Sequence, residues 1–210
     1  MGRYLGGKCR LCRREGAKLF LKASRCNTEK CPFAKRPTPP GMHTRGGMRK
    51  PSYYALQLRE KQRVKRVYGM LERQFRRFFH IATKSRGVTG RTLIQLLERR
   101  IDNVMFRSLF ATSREHGRQM VLHGAVLVNG KKVNIPSYLV AQNDVLEVKA
   151  RDNTKKNMKA FIEAVAKERS VPTWLEVDNE NLKIKITRLP EKEDLTLDVN
   201  EQLIVELYSK

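Results

Sequence analysis

Apolar and polar positions along this 210-residue chain change their period several times, and each change predicts an element. Pro51 is placed as the first helical position of the run SYYALQLREKQRVKRVYGMLERQFRRFFHIATKS, which carries apolar residues at helical spacing, with Tyr54, Leu58, Val64, Val67, Leu71, Phe75, Phe78 and Phe79 on one face. Gly69 inside that pattern costs about 1 kcal/mol relative to Ala, so two helices or a bend near Tyr68-Gly69 are expected. The aromatics suit a core; the other reading is a platform for stacked bases.

Beyond the break SRGVTG, the recurrence of Leu93, Leu97, Ile101, Val104 and Met105 predicts one helix over 91–108. Thr112 and Glu115 have the form of a capping box, opening a short helix that runs to about His123 and stops at Gly124. Arg114 and Arg118 are four apart and share a face of it. Ala125–Val128, Asn129-Gly130 and Lys131–Val133 then predict a hairpin, because Asn-Gly tolerates the positive φ angles of a type I′ turn. Val145–Val148 predicts another strand, 155–169 a helix, and 173–198 further strands, including Leu195-Thr-Leu. Asn200 can cap a last helix whose Leu203, Ile204, Leu207 and Tyr208 share a face and can dock on the amino-terminal helices. No internal repeat is found.

The expected fold class is therefore α+β. It comprises an amino-terminal, mainly helical domain over 1–97 (a cysteine knuckle and basic arm over 1–45, helices over 46–97) and a second domain over 98–198, with its core motif at 99–161. That second domain packs helices on a small antiparallel sheet, and a terminal helix over 199–210 returns to the first domain.

Charge changes the picture most. Residues 1–100 carry 27 Lys and Arg against 5 Asp and Glu, whereas 101–150 carry a net +2 and 151–210 a net −1. Neutralising phosphates gives affinity without sequence reading, so this asymmetry implies a nucleic-acid face and a nearly neutral body. A general solubility charge or an anionic-membrane patch is the blander reading. The start MGRYLGGKC has no secretory apolar run, and no stretch of about 18 apolar residues could span a membrane, so a cytoplasmic chain with no membrane partner is expected.

All four cysteines lie early, as Cys9-x2-Cys12 and Cys26-x4-Cys31. In a reducing compartment such spacing suits four thiolates around one structural zinc, at about 2.3 Å. An iron–sulfur cluster or idle thiols remain alternatives. A catalytic zinc would need an open position, and His43, His80, His116 and His123 all fall outside this segment. Segment 32–51 holds five of the eight prolines; it predicts an extended arm across phosphates, or else a simple tether.

The expected RNA-binding set comprises Arg3, Arg10, Arg13, Arg14, Arg36, Arg45, Arg49 and Lys50 of the knuckle and arm. The helical run adds Arg59, Lys61, Arg63, Lys65, Arg66, Arg73, Arg76 and Arg77, and the second domain adds Arg107, Arg114, Arg118, Gln119, His123, Asn129 and Lys131. On pattern alone, the second-domain residues could equally be scattered surface groups. Asp102 is expected mid-helix, paired with a neighbouring Arg.

The segment RRIDNVMFRSLFATSREHGRQMVLHGAVLVNGKKVNIPSY closely resembles the RNA-binding domain first described in bacterial small-subunit ribosomal protein four. LQLREKQRVKRVYGMLERQFRRFF, PTWLEVD and NEQLIVELYSK resemble other signatures of that family, so the likeness spans nearly the whole chain. The resemblance implies a structural constituent of the small subunit that binds 16S ribosomal RNA at a multi-helix junction and nucleates assembly of the subunit body. It also implies contact with ribosomal protein five, a place near the path by which messenger RNA enters, and an influence on decoding accuracy. No homo-oligomer is expected. The family's short-helix RNA motif is matched at Arg114, Arg118, Gln119, His123 and Asn129. Gly117 stands where Ala is expected within that helix, and the cysteine spacing matches the family's metal-bearing type.

Two other classes fit the residues less well. An RNA-modifying enzyme or translation quality-control protein can carry the same domain, but no catalytic module remains: there is no phosphate loop, nucleophile elbow or paired-acid site. A zinc-bearing DNA regulator is opposed by the proline-rich arm, which stands where a recognition helix would follow the cysteines.

Overall fold

A computed structural model describes residues 2–41, 50–166, 169–194 and 199–209. The chain divides into two compact units, Met1–Leu93 with Leu197–Lys210, and Ile94–Thr196.

The first unit opens with helix α1 (Lys8–Glu15), whose end is fixed by Gly16 at φ 64°. A single 3-10 turn (Ala23–Cys26) and a helical turn α2 (Pro32–Lys35) follow. The long amphipathic run forms two helices, α3 (Tyr53–Val67) and α4 (Glu72–Lys84), separated where Gly69 takes φ 63°. Pro51 does not start α3. Ser52 is the cap, its hydroxyl accepting from the Ala55 N–H at 3.3 Å. Val64, Val67, Phe75, Phe78 and Ala82 are buried, whereas Tyr54 and Leu71, assigned by period to the same face, are exposed. The closing helix α9 (Glu201–Tyr208) belongs to this unit and packs on α3. Asn200 caps it as expected, accepting from the Gln202 N–H.

Helix α5 (Thr89–Glu98) leads into the second unit, where the single helix expected over 91–108 is instead two. The chain breaks at Arg100, which is extended and pairs with Leu139, and α6 (Ile101–Arg107) starts afterwards. The Val140 N–H donates to the Arg99 carbonyl and the Ile101 N–H to the Tyr138 carbonyl. These long-range bonds outweigh the local helical period.

Helix α7 (Arg114–Leu122) is capped by Ser113, whose hydroxyl accepts from the His116 N–H at 3.2 Å, one residue later than the Thr112 box predicts. Asn129 and Gly130 both take positive φ between β1 (Val126–Val128) and β2 (Lys131–Lys132). With β3 (Val145–Val148), β4 (Leu175–Asp178) and β5 (Lys183–Ile186) they make an antiparallel sheet ordered β2-β1-β3-β5-β4. Helix α8 (Asp152–Ala166) supplies Met158 and Ile162 to a core that also holds Ile101, Val104, Met105, Val121, Leu146, Trp174, Ile184 and Ile186. The predicted strand Leu195-Thr-Leu lies outside the described residues. Among the described residues, no helix is long and apolar enough to cross a membrane.

Candidate nucleic-acid interface

In the first unit the cysteine segment comes first. Cys9 and Cys12 lie three apart on α1 and so share a face, Cys26 ends the 3-10 turn, and Cys31 precedes α2. Cys12, Cys26 and Cys31 are buried, and Cys9 is partly so. Burial pushes the Cys12 thiol up, a hydrogen bond from the Leu19 backbone opposes this, and the nearby Cys26, Cys9 and Cys31 add to the rise. The Lys22 backbone N–H donates to the Cys26 sulfur at 3.3 Å. The donor types thus suit a thiophilic metal, yet among the described residues no three such groups converge tightly enough to hold one.

Around this segment Arg3, Arg10, Arg14 and Arg36 are exposed, as is Lys50 beyond it. Arg13 is engaged internally: its Nε donates to the Thr38 carbonyl at 2.8 Å and Nη2 to the Pro39 carbonyl at 3.4 Å. Arg45 and Arg49 lie outside the described residues.

The cations of α3, by contrast, are paired with carboxylates. Arg59 and Arg66 both pair with Glu15, whose side chain is 1% exposed. Burial pushes that carboxyl up, and Arg66 and Arg59 pull it back. Lys61 and Lys65 each reach Glu72 at 2.9 Å, and Arg63 lies 3.8 Å from Glu60. The pattern of α3 predicts an array for phosphate; the structure turns much of it onto three carboxylates. On α4 the outcome differs. Arg73, Arg76 and Arg77 are exposed, with Arg76 also interacting with the Tyr208 hydroxyl. Lys84 at the end of α4, with Arg86 and Arg91 beyond it, extends the exposed cations; the sequence pattern marks none of the three, although the charge count of residues 1–100 includes them.

The second unit hides part of its set. Arg118 is buried 3.8 Å from Asp102, which also accepts from Arg100 at 3.0 Å and 2.5 Å. Asp102 sits in the first turn of α6 rather than mid-helix, and its pairing with Arg is as expected. Arg107 is buried 3.2 Å from Glu98 and donates to the Asp194 carbonyl. Arg107 and Arg118 therefore face the interior, where an unpaired carboxylate would be costly.

Asn129 is exposed but clamps its turn, donating to Asp144 at 2.8 Å and accepting from the Val145 N–H at 2.9 Å. Gln119, His123 and Lys131 are exposed. Arg114 is half-buried, its Nε donating to Asn103 Oδ1 at 2.8 Å while its guanidinium lies 4.5 Å over the Phe106 ring.

Gly117 has a packing reason. A Cβ there would lie 2.6 Å from the Asp102 carbonyl oxygen and 3.2 Å from the Met105 Cβ, so glycine is what allows α7 to approach α6.

Comparison with known proteins bears on what this arrangement does. Residues 3–98 match the model of the ribosomal protein S4/S9 N-terminal domain, and residues 99–146 match that of the S4 domain. Over its full length the chain is 56% identical to small ribosomal subunit protein uS4 of Dictyoglomus turgidum, with all of both chains covered. It is 53% identical to uS4A of Symbiobacterium thermophilum and 50% identical to uS4 of Thermus thermophilus, again with full coverage on both sides.

Proposed function

The chain belongs to the uS4 family of small ribosomal subunit proteins, and on that premise we propose that its exposed cations seat it on a multi-helix junction of 16S ribosomal RNA. It is an rRNA-binding structural constituent of the small subunit and not an enzyme. The observation that carries the junction reading is the segregation of charge: α4 keeps Arg73, Arg76 and Arg77 exposed, while Arg59, Lys61, Lys65 and Arg66 of α3 are paired with carboxylates. RNA helices hide their major-groove edges, so a rigid display of Arg forks recognises phosphate and junction shape rather than base sequence. In this reading the chain nucleates the subunit body, touches ribosomal protein five, lies near the path of entering messenger RNA and influences decoding accuracy.

The same reading assigns one structural zinc to Cys9, Cys12, Cys26 and Cys31. Three buried sulfurs, two backbone N–H groups directed at sulfur, and cysteines close enough to perturb one another's ionisation support it. A closed four-thiolate site would cross-link the segment and supply no catalysis.

Competition between 16S junction RNA and duplex DNA for the purified chain tests the nucleic-acid reading. Preference for the RNA at physiological salt is expected, and preference for DNA would overturn it.

A further inference from the structure

The hairpin of β1 and β2 turns on Asn129-Gly130, the one Asn-Gly step in the chain. That dipeptide is especially open to intramolecular attack on the asparagine side chain, because glycine puts no Cβ beside the attacking nitrogen. The Gly130 backbone nitrogen forms a bond to Asn129 Cγ, the Cγ–Nδ2 bond breaks, and Nδ2 leaves as ammonia with the proton that Gly130 gives up. Water then opens the cyclic imide at either carbonyl, leaving aspartate or isoaspartate. Gly130 is exposed, and a Cβ there would meet nothing within 4 Å, so solvent reaches the turn.

Against that reactivity stands a latch. Asn129 Nδ2 donates to Asp144 Oδ1 at 2.8 Å, Asn129 Oδ1 accepts from the Val145 N–H at 2.9 Å, and the Asn129 backbone N–H donates to the Val145 carbonyl at 2.8 Å. Both ends of the carboxamide are thus held at the start of β3. Asp144 is itself fixed: Oδ2 accepts from the Ala141 N–H at 2.7 Å, and its carbonyl accepts from the Ile186 N–H at 3.0 Å. Asn129 is further confined to a left-handed backbone at φ 48°. Swinging Cγ onto the Gly130 nitrogen therefore breaks both side-chain bonds, and the rate of attack follows the population of the opened tip.

The product cannot close the latch again. With oxygen in place of Nδ2, the 2.8 Å hydrogen bond becomes an approach of two carboxylates, which repel. Isoaspartate also adds a backbone methylene inside the turn, where Val128 pairs with Lys131.

We propose that Asn129 is a latent deamidation site, that Asp144 restrains it, and that its conversion releases the β1–β2 hairpin from the turn preceding β3. Incubating the full chain at mildly alkaline pH, with mass spectrometry of the peptide that holds Asn129, tests this. Folded wild type should deamidate there at least about tenfold more slowly than the same chain in urea. D144A, folded by circular dichroism, should deamidate roughly tenfold faster than folded wild type, the change in opening that loss of one hydrogen bond to a charged group implies. Equal rates for folded and urea-unfolded wild type would overturn the proposal, as would a folded D144A that matches wild type. N129D, which carries the product's side chain, should lower the Tm of the second unit, and adding D144N should restore most of the loss, because the pair then has its donor on the other side. If D144A does not fold, the wild-type comparison and this rescue decide alone. A wild-type Tm in N129D, or no rescue by D144N, would overturn the release step.

Discussion

Tyr208 donates its phenolic hydrogen to Glu72 across 2.9 Å, joining the last helix of the chain to the first turn of α4. The same ring stacks on Phe79 with centroids 4.4 Å apart, and Lys61 Nζ lies 5.1 Å from its centre. Two residues 136 apart in sequence thereby close the first unit.

Glu72 should make the stability of that unit acid-sensitive. Burial works to raise its pKa, but hydrogen bonds from Lys61, Lys65 and Tyr208 outweigh this and hold it at about 2. A depressed carboxylate contributes stability above its unfolded value, near 4.5, and that contribution is lost as pH falls toward 2. The side chain is 38% exposed, so solvent screening reduces the contribution to roughly 1 kcal/mol. Urea midpoints of wild type and E72Q should differ at pH 6 and converge toward pH 2; a constant gap would contradict the assignment.

Gly117→Ala should destabilise the second unit despite the better helix propensity of alanine. The propensity gain is about 1 kcal/mol, whereas the clash with the Asp102 carbonyl forces α7 away from α6 at a cost of about 2–3 kcal/mol. Thermal unfolding should show a lower Tm, and an unchanged or higher Tm would mean the helices separate freely.

Arg118→Ala should behave as a core mutation rather than an interface mutation. Breaking one member of a buried ionic cluster costs about 3–5 kcal/mol, because Asp102 loses one of its two cations. In folded protein, the salt slope of rRNA binding should stay at the wild-type value. A reduced slope without loss of stability would place Arg118 at the RNA after all.

Cys31→Ser should abolish stoichiometric zinc and loosen residues 2–41 while the second unit keeps its Tm. Metal analysis together with hydrogen exchange reads both effects. Full zinc retention would refute the four-ligand site, and iron in place of zinc in wild type would select the cluster alternative.

Helices, hairpin and terminal cap were legible because their signals are local. Gly69, Asn129-Gly130 and Asn200 act through their own backbone or their immediate neighbours. The break at Arg100 was not, since it is imposed by pairing with Leu139, nearly 40 residues away. Charge was legible in total but not in destination. Nothing in the spacing of α3 reveals that Glu15 and Glu72 each collect two of its cations, or that Asp102 and Glu98 draw Arg118 and Arg107 inside. Partners far apart in sequence leave no periodic trace. The cysteines show the reverse case: their spacing predicts a ligand set, and the fold brings them near one another, yet among the described residues no three form a metal-holding group.

Arg73 and Arg77, one turn apart and exposed on α4, are where the rRNA-binding account is most directly exposed to test. The salt dependence of 16S rRNA binding should be measured for wild type and for R73A/R77A, alongside chemical footprints of the RNA. The account predicts a log–log slope lower by about 2 in the variant, with the wild-type footprint at a multi-helix junction weakened but unmoved. An unchanged slope, with protections lying elsewhere on the RNA, would contradict it.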